Sequence, residues 1–124
     1  MGNRFVIQKH DATTLHYDLR LEIEGVLKSW AVPKGLPEKK GEKNLAIQTE
    51  DHDLSYINFE GEIPEDEYGA GKVEIWDKGQ YELKKKTDKE IKFKLNGDKV
   101  NSNFVLVKFK KENGKNQFLL IKIE

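Results

Sequence analysis

The chain has 124 residues, enough for one domain around one modest core, and its 22 basic and 22 acidic side chains leave a formal net charge of zero. That balance excludes a wholesale basic protein, so any nucleic-acid contact has to come from a local patch. With no cysteine there are no disulfides, thiolate metal sites or cysteine nucleophiles. No apolar run approaches the ~18 residues of a helical membrane span, and the Lys- and Glu-rich composition, with no signal-peptide pattern after Met1, predicts a cytoplasmic protein.

Apolar residues alternate at period two almost throughout, the mark of strands rather than helices. Residues 5–8 read as a short strand. Residues 15–23 alternate cleanly, with Leu15, Tyr17, Leu19, Leu21 and Ile23 on one side and His16, Asp18, Arg20 and Glu22 on the other. Glu24-Gly25 is a turn, and residues 26–32 return as a hairpin partner ended by Pro33. Residues 34–44 read as an exposed loop and 45–49 as the next strand, with another expected at 56–59. A polar loop at 65–71 precedes strands at 73–76, 80–85, 90–95, 104–110 and 117–123. Asn96-Gly97 and residues 112–115 are turn signals between them. Eight or nine short strands with tight connections predict a single all-β domain over residues 1–124, a small barrel or a sandwich. The Lys-rich strands of the second half carry no histidine and read as scaffold, and Tyr17, Trp30 and Trp76 read as core.

The unusual residues gather elsewhere. The chain has three histidines, His10, His16 and His52, and two arginines, Arg4 and Arg20. Four of these five fall beside carboxylates, in segments 8–20 and 49–52. His16 and Asp18 stand two apart on a strand, so both project from one face roughly 7 Å apart at Cβ. A turn at 11–14 would fold His10 back over the same spot. Two imidazoles and a carboxylate suit Mn²⁺, Fe²⁺ or Zn²⁺. The competing reading makes His16 and Asp18 the wet face of a half-buried strand; the third histidine favours metal. Arg20 continues that face, and its planar fork can grip a phosphate bidentately; the alternative is a salt bridge to Glu22 or to a neighbouring strand. Gln48, Glu50 and His52 share one side if the alternation from Leu45 holds, while His52 could equally be an idle loop histidine. Lys34 is one lysine among many. A metal, Arg20, His52 and a lysine would together neutralise a phosphate and activate a nucleophile.

The stretches FVIQKHDATTLHYDLRLE, SWAVPKGLP and TEDHDLSYINFEGEIPEDEYGAGKVEIWDKG closely resemble the 3′-phosphoesterase domain of bacterial and archaeal DNA ligase D systems, from Phe5 to about Gly79. The resemblance implies an eight-stranded closed β-barrel with its site on a concave outer surface. It implies a Mn²⁺-dependent activity, with Zn²⁺ or another divalent ion as alternatives, that removes a terminal ribonucleoside and then the 3′-phosphate from nucleic-acid 3′ ends. His10, His16 and Asp18 match the metal ligands. Arg20 and His52 match residues that contact the scissile phosphate, and Lys34, Glu50, Tyr56 and Gln8 match supporting positions.

Three departures accompany the match. Asn44 stands where relatives often carry an arginine, which leaves Lys43 as a possible replacement cation. Only Met1 to Arg4 precede the first strand, where many relatives have a longer arm that supports diester cleavage, so monoesterase activity is the firmer expectation. No ligase or polymerase domain fits in 124 residues, so those partners would be separate proteins. Two other classes stay open on the residues alone: a non-haem Fe(II) oxygenase using His16, Asp18 and His52, and a non-catalytic module that holds DNA ends.

Overall fold

In the computed structural model, which describes residues 3–67 and 70–124, the alternating segments form nine strands. They are β1 (Arg4–Asp11), β2 (Leu15–Ile23), β3 (Val26–Val32), β4 (Lys43–His52), β5 (Gly61–Ile63), β6 (Gly71–Lys86), β7 (Glu90–Gly97), β8 (Asn101–Glu112) and β9 (Lys115–Lys122). All pairings are antiparallel, in the order β1-β2-β3-β4-β9-β8-β7-β6, and β1 pairs back onto β6. Eight strands therefore close a barrel, and β5 adds to the free side of β6. Closure leaves no unpaired edge among the eight, the usual liability of an open sheet. Gly71 permits it locally: its φ is +131°, and a Cβ there would collide with the Asp11 carbonyl at the β1–β6 junction. Among the described residues no helix is long and apolar enough to cross a membrane.

The inward positions of each strand fill the barrel. Phe5 and Ile7 of β1, Leu19 and Leu21 of β2, Trp30 and Val32 of β3, Phe93 and Leu95 of β7, Phe104 and Leu106 of β8, and Phe118 and Leu120 of β9 pack in one cluster. Trp30 is core as expected. Tyr17 and Trp76 only border the cluster, ring against ring at 5.8 Å. Trp76 is the extra residue where the β1–β6 register shifts, Ile7 facing Asp77 and Gln8 facing Ile75.

Three expectations give way. Residues 56–59 are not a strand: Leu54–Asn58 is a 3-10 helix, started by Asp53, whose carboxylate accepts from the Ser55 amide and hydroxyl. That local bond satisfies the first turn and competes with a ladder. Residues 73–76 and 80–85 belong to one 16-residue strand, because partners on β1 and then β7 hold it along its whole length. The turn expected at Asn96-Gly97 lies two residues later, at Asp98 and Lys99, and both expected turn residues belong to β7. Buried Asp77 gathers the amides of Asp98, Lys99 and Val100, as well as its neighbour Lys78, at 2.9–3.0 Å.

The helix Leu54–Asn58 docks on the barrel by its apolar side. Ile57, with Leu54 and Tyr56, packs against Val6 and Leu27 on the outside of the barrel. It roofs part of the outer face of β1, β2 and β3. The His16–Glu22 side of β2, read from sequence as a wet face, is largely covered: Asp18, Arg20 and Glu22 are buried and His16 is half-buried, with Tyr56 over Arg20, His10 beside Asp18 and Arg4 on Glu22.

Candidate metal and phosphate site

Strand register assembles the centre. β1 pairs with β2 so that Gln8 faces Asp18 and His10 faces His16, and residues directly opposite in an antiparallel pair share a face. The two imidazoles stand 4.7 Å apart between centroids. His10 Nδ1 lies 3.4 Å from Asp18 Oδ2, and His16 Nε2 lies 3.2 Å from Asp18 Oδ1. One ligand atom from each residue falls within 4.8 Å of the others. Two ligands at ~2.1 Å from one ion, at right angles or tetrahedral angles, are themselves about 3.0–3.4 Å apart, so each imidazole already stands at ligand spacing from a carboxylate oxygen, and a cation shared by all three would draw the set closer together. The tautomer agrees. His16 Nδ1 lies 3.3 Å from the Thr14 carbonyl and donates to it; in the neutral ring this leaves the Nε2 lone pair facing Asp18. Such an outer contact orients a metal-binding histidine.

Electrostatics favour an ionised Asp18. Burial works against its charge, but the bond from His16, made when that ring is protonated, and the positive charge of Arg20 outweigh it, and the carboxyl titrates below its ordinary value. The same bond, made to Asp18, raises His16. Burial lowers the Arg20 pKa, with the charge of Asp18 opposing it.

Arg20 is held on nearly every side. Nε donates to Gln8 Oε1 at 2.7 Å, Nη1 to Ser29 Oγ at 2.8 Å, and Nη2 to Asp18 Oδ2 at 3.4 Å. Nη1 also meets His52 Nδ1 at 3.1 Å, and the guanidinium carbon lies 4.9 Å from the Tyr56 ring centre. A guanidinium has five N–H groups, so these four bonds leave one, on Nη2, among the described partners. The two-pronged phosphate grip suggested by the sequence would require releasing one of them. Nor does Arg20 pair with Glu22, which binds Arg4 instead, at 2.8 and 3.1 Å.

His52 Nδ1 lies 3.0 Å from the Glu50 carbonyl and 3.1 Å from Arg20 Nη1; the carbonyl can only accept and the guanidinium can only donate, so the ring's tautomer decides which of the two bonds forms. Burial and the charge of Arg20 both lower the His52 pKa, consistent with a neutral ring. Tyr56 stacks between His52 and Phe59, at 4.7 and 4.8 Å, and burial raises its pKa.

The centre opens into a groove of about 1050 Å³ on the barrel's outer surface, lined also by Gln48, Glu50, His52 and Tyr56. The expected residues are not all alike. Gln8, fully buried, lies behind Arg20; its amide also donates to the carbonyls of Tyr56 and Phe59 at 3.4 and 3.2 Å. Glu50 is exposed on the groove wall. Lys34 is exposed and lines a separate surface hollow with Leu36 and Glu42. Asn44 is buried and donates to the Gly35 carbonyl at 2.8 Å, and neither it nor Lys43 lines the groove. Sequence reasoning missed Ser29, although Trp30 and Val32 pointing inward imply that Ser29 points outward, beside Arg20 in the β2–β3 register.

A protein-family model described as the DNA Ligase D 3′-phosphoesterase domain matches residues 8–108. The chain is 51% identical, over 111 residues, to the multifunctional non-homologous end joining DNA repair protein LigD of Mycobacterium tuberculosis, covering 86% of this chain and 15% of that protein. It is 48% identical over 123 residues to the corresponding protein of Mycolicibacterium smegmatis, covering 90% and 16%. The Pseudomonas aeruginosa protein is 44% identical over 124 residues, covering 96% and 15%. The chain thus spans only about a sixth of the length of these relatives.

Proposed function

The chain belongs to the DNA ligase D 3′-phosphoesterase domain family, and from that premise we propose that it is a divalent-metal-dependent phosphoesterase that trims nucleic-acid 3′ ends during DNA end joining. One observation carries the reading: His10, His16 and Asp18 converge at the end of an open groove, directly beside Arg20 and His52. A divalent cation in the triad, Mn²⁺ in this proposal with Zn²⁺ compatible, would supply Lewis acidity at the phosphorus.

The chain's own residues do the rest. Asp18 keeps its charge although buried and draws the cation to the spot. Arg20 turns its remaining Nη2 hydrogen to a phosphate oxygen, in a buried setting that makes each donor count for more than in water. His52 turns its Nε2 toward a second oxygen or toward the departing one, and donates there when that nitrogen carries the proton. In the monoester reaction water adds to phosphorus, the bond from phosphorus to the 3′ oxygen breaks, and that oxygen takes a proton. Inorganic phosphate and a 3′-hydroxyl result. In the diester reaction the bond that breaks joins phosphorus to the terminal ribonucleoside, and a 3′-phosphate remains. A ligase or polymerase would then use the 3′-hydroxyl.

The test compares matched primers ending in a 3′-phosphate or a 3′-ribonucleoside across several divalent ions. Turnover that needs the ion and disappears in His16→Ala and Asp18→Ala supports the proposal. Wild-type rates in those variants would end it. Binding of ends with no turnover under any ion would leave the domain an end-binding module.

A further inference from the structure

The groove continues beyond the metal triad. Asp18 of β2 faces Ala31, Ala31 faces Ile47, Ile47 faces Gln117, and Gln117 faces Lys110. Residues opposite one another share a face, so one outward row crosses β2, β3, β4, β9 and β8 and joins the triad's carboxylate to Lys110. Four interstrand steps of about 4.8 Å make the row roughly 19 Å long. Ala31 and Ile47 line the groove, and the β8–β9 turn forms its far side with Asn113, Lys115 and Asn116. The register shifts between Lys108 and Lys110, so Phe109 has no partner across the ladder and stands 47% exposed. Bulges of this kind re-aim a side chain and are common beside sites.

Charge points the same way. Residues 78–122 carry 13 lysines against 5 carboxylates, a net of +8, balanced by −8 over the rest of a neutral chain. Lys115 has no acidic partner among the described residues, and Lys110 is shared with Glu112 at 2.9 Å. The strands read from sequence as scaffold thus carry the excess of positive charge that the overall neutrality hides.

We propose that the β8–β9 hairpin is a nucleic-acid arm: the strand whose 3′ end enters the triad lies along this row, with upstream phosphates on Lys110 and Lys115 and the Phe109 ring beside them. The proposal rests on the reading of the triad as the 3′-end site. At about 3.4 Å per stacked nucleotide, the row spans roughly five nucleotides. Both lysines lie beyond residues 8–108, the part matched by the family model.

A fluorescent 12-nucleotide DNA with an ordinary 3′-hydroxyl, which cannot be turned over, tests the arm by anisotropy across a salt series. The double variant K110Q/K115Q should bind on the order of tenfold more weakly at 50 mM salt. Its dependence of log affinity on log salt should flatten by about 1.4, since each lost contact to a single strand removes about 0.7. K110R/K115R should restore both values, which separates charge from fold. K84Q/K92Q, which removes the same charge from exposed positions outside the groove, should match wild type, and Glu112→Gln should tighten binding by freeing Lys110. Wild-type affinity and slope in K110Q/K115Q, or an equal loss in K84Q/K92Q, would overturn the proposal. Because this ligand needs no turnover, failure of the phosphatase assay overturns only the catalytic reading, whereas intact turnover with hairpin-independent binding overturns only the arm.

Discussion

Gln8 is the residue through which strand register, roof and guanidinium meet, and Gln8→Met tests that connection at nearly constant side-chain volume. Three hydrogen bonds disappear. The bond from Arg20 Nε at 2.7 Å has a charged donor, a class that contributes about 1.5–3 kcal/mol. The two made to the carbonyls of Tyr56 and Phe59 are long, at 3.4 and 3.2 Å, and belong near the lower end of about 0.5–1.5 kcal/mol each. With Gln8 fully buried, water cannot easily replace the acceptor, so a total of about 3 kcal/mol is expected from urea denaturation. Losing a transition-state donor outright slows an enzyme about 10²–10³-fold; Gln8 acts only through Arg20, so its loss should lower kcat on a 3′-phosphorylated primer on the order of tenfold. Gln8→Glu separates the two jobs. It keeps and strengthens the acceptor for Arg20, but it sets a carboxylate against two carbonyls. The rate should therefore recover toward wild type while amide exchange over residues 54–59 accelerates. Wild-type stability, rate and exchange in Gln8→Met would refute the account, and so would an equal loss of rate in both variants.

Other consequences are more direct. Asp18→Ala should abolish high-affinity binding of Mn²⁺ or Zn²⁺ in calorimetry, because the carboxylate is the group both imidazoles face; retained binding would dismantle the triad. Asp77→Ala should destabilise the domain by about 3 kcal/mol, since one buried carboxylate holds four backbone amides, some of which water can still reach; a melting temperature equal to wild type would contradict this. Burial pushes the Tyr81 phenol up to about 12. Above pH 10 the unfolded chain gives up that proton while the folded one keeps it, so stability should hold below pH 10 and fall as pH rises toward 12. Tyr81→Phe, which loses the bond to the Glu22 carbonyl, should flatten that decline. For His52, lowered by burial and by Arg20, an NMR titration of the metal-free protein should give a midpoint below 6.5. The neutral ring's contribution to stability is then lost as pH falls from 6.5 toward that midpoint, and a midpoint above 6.5 would argue against burial and Arg20 as the dominant influences on the ring.

The amino-acid sequence by itself determined which side chains share a face. In a strand, successive Cβ atoms point to opposite sides, so the order His16-Tyr17-Asp18-Leu19-Arg20 separates the candidate site residues from the core side before any partner strand is present. The scarcity of histidine and arginine then marked the place, and the motif words from Phe5 to Gly79 marked the family. Only the tertiary structure decided what lies opposite what. His10 reaches His16, Gln8 reaches Arg20, and Asp18 leads by way of Ile47 to Lys110, through the register of strands far apart in the chain. Likewise a 3-10 helix from residues 54–58 docks on Val6 and Leu27 and brings Tyr56 over Arg20 by nonlocal packing, and Lys34 stands apart, lining a hollow outside the groove. Periodicity is a property of the local backbone. Register, closure and roofing depend on contacts between distant segments, and no short window of sequence contains them.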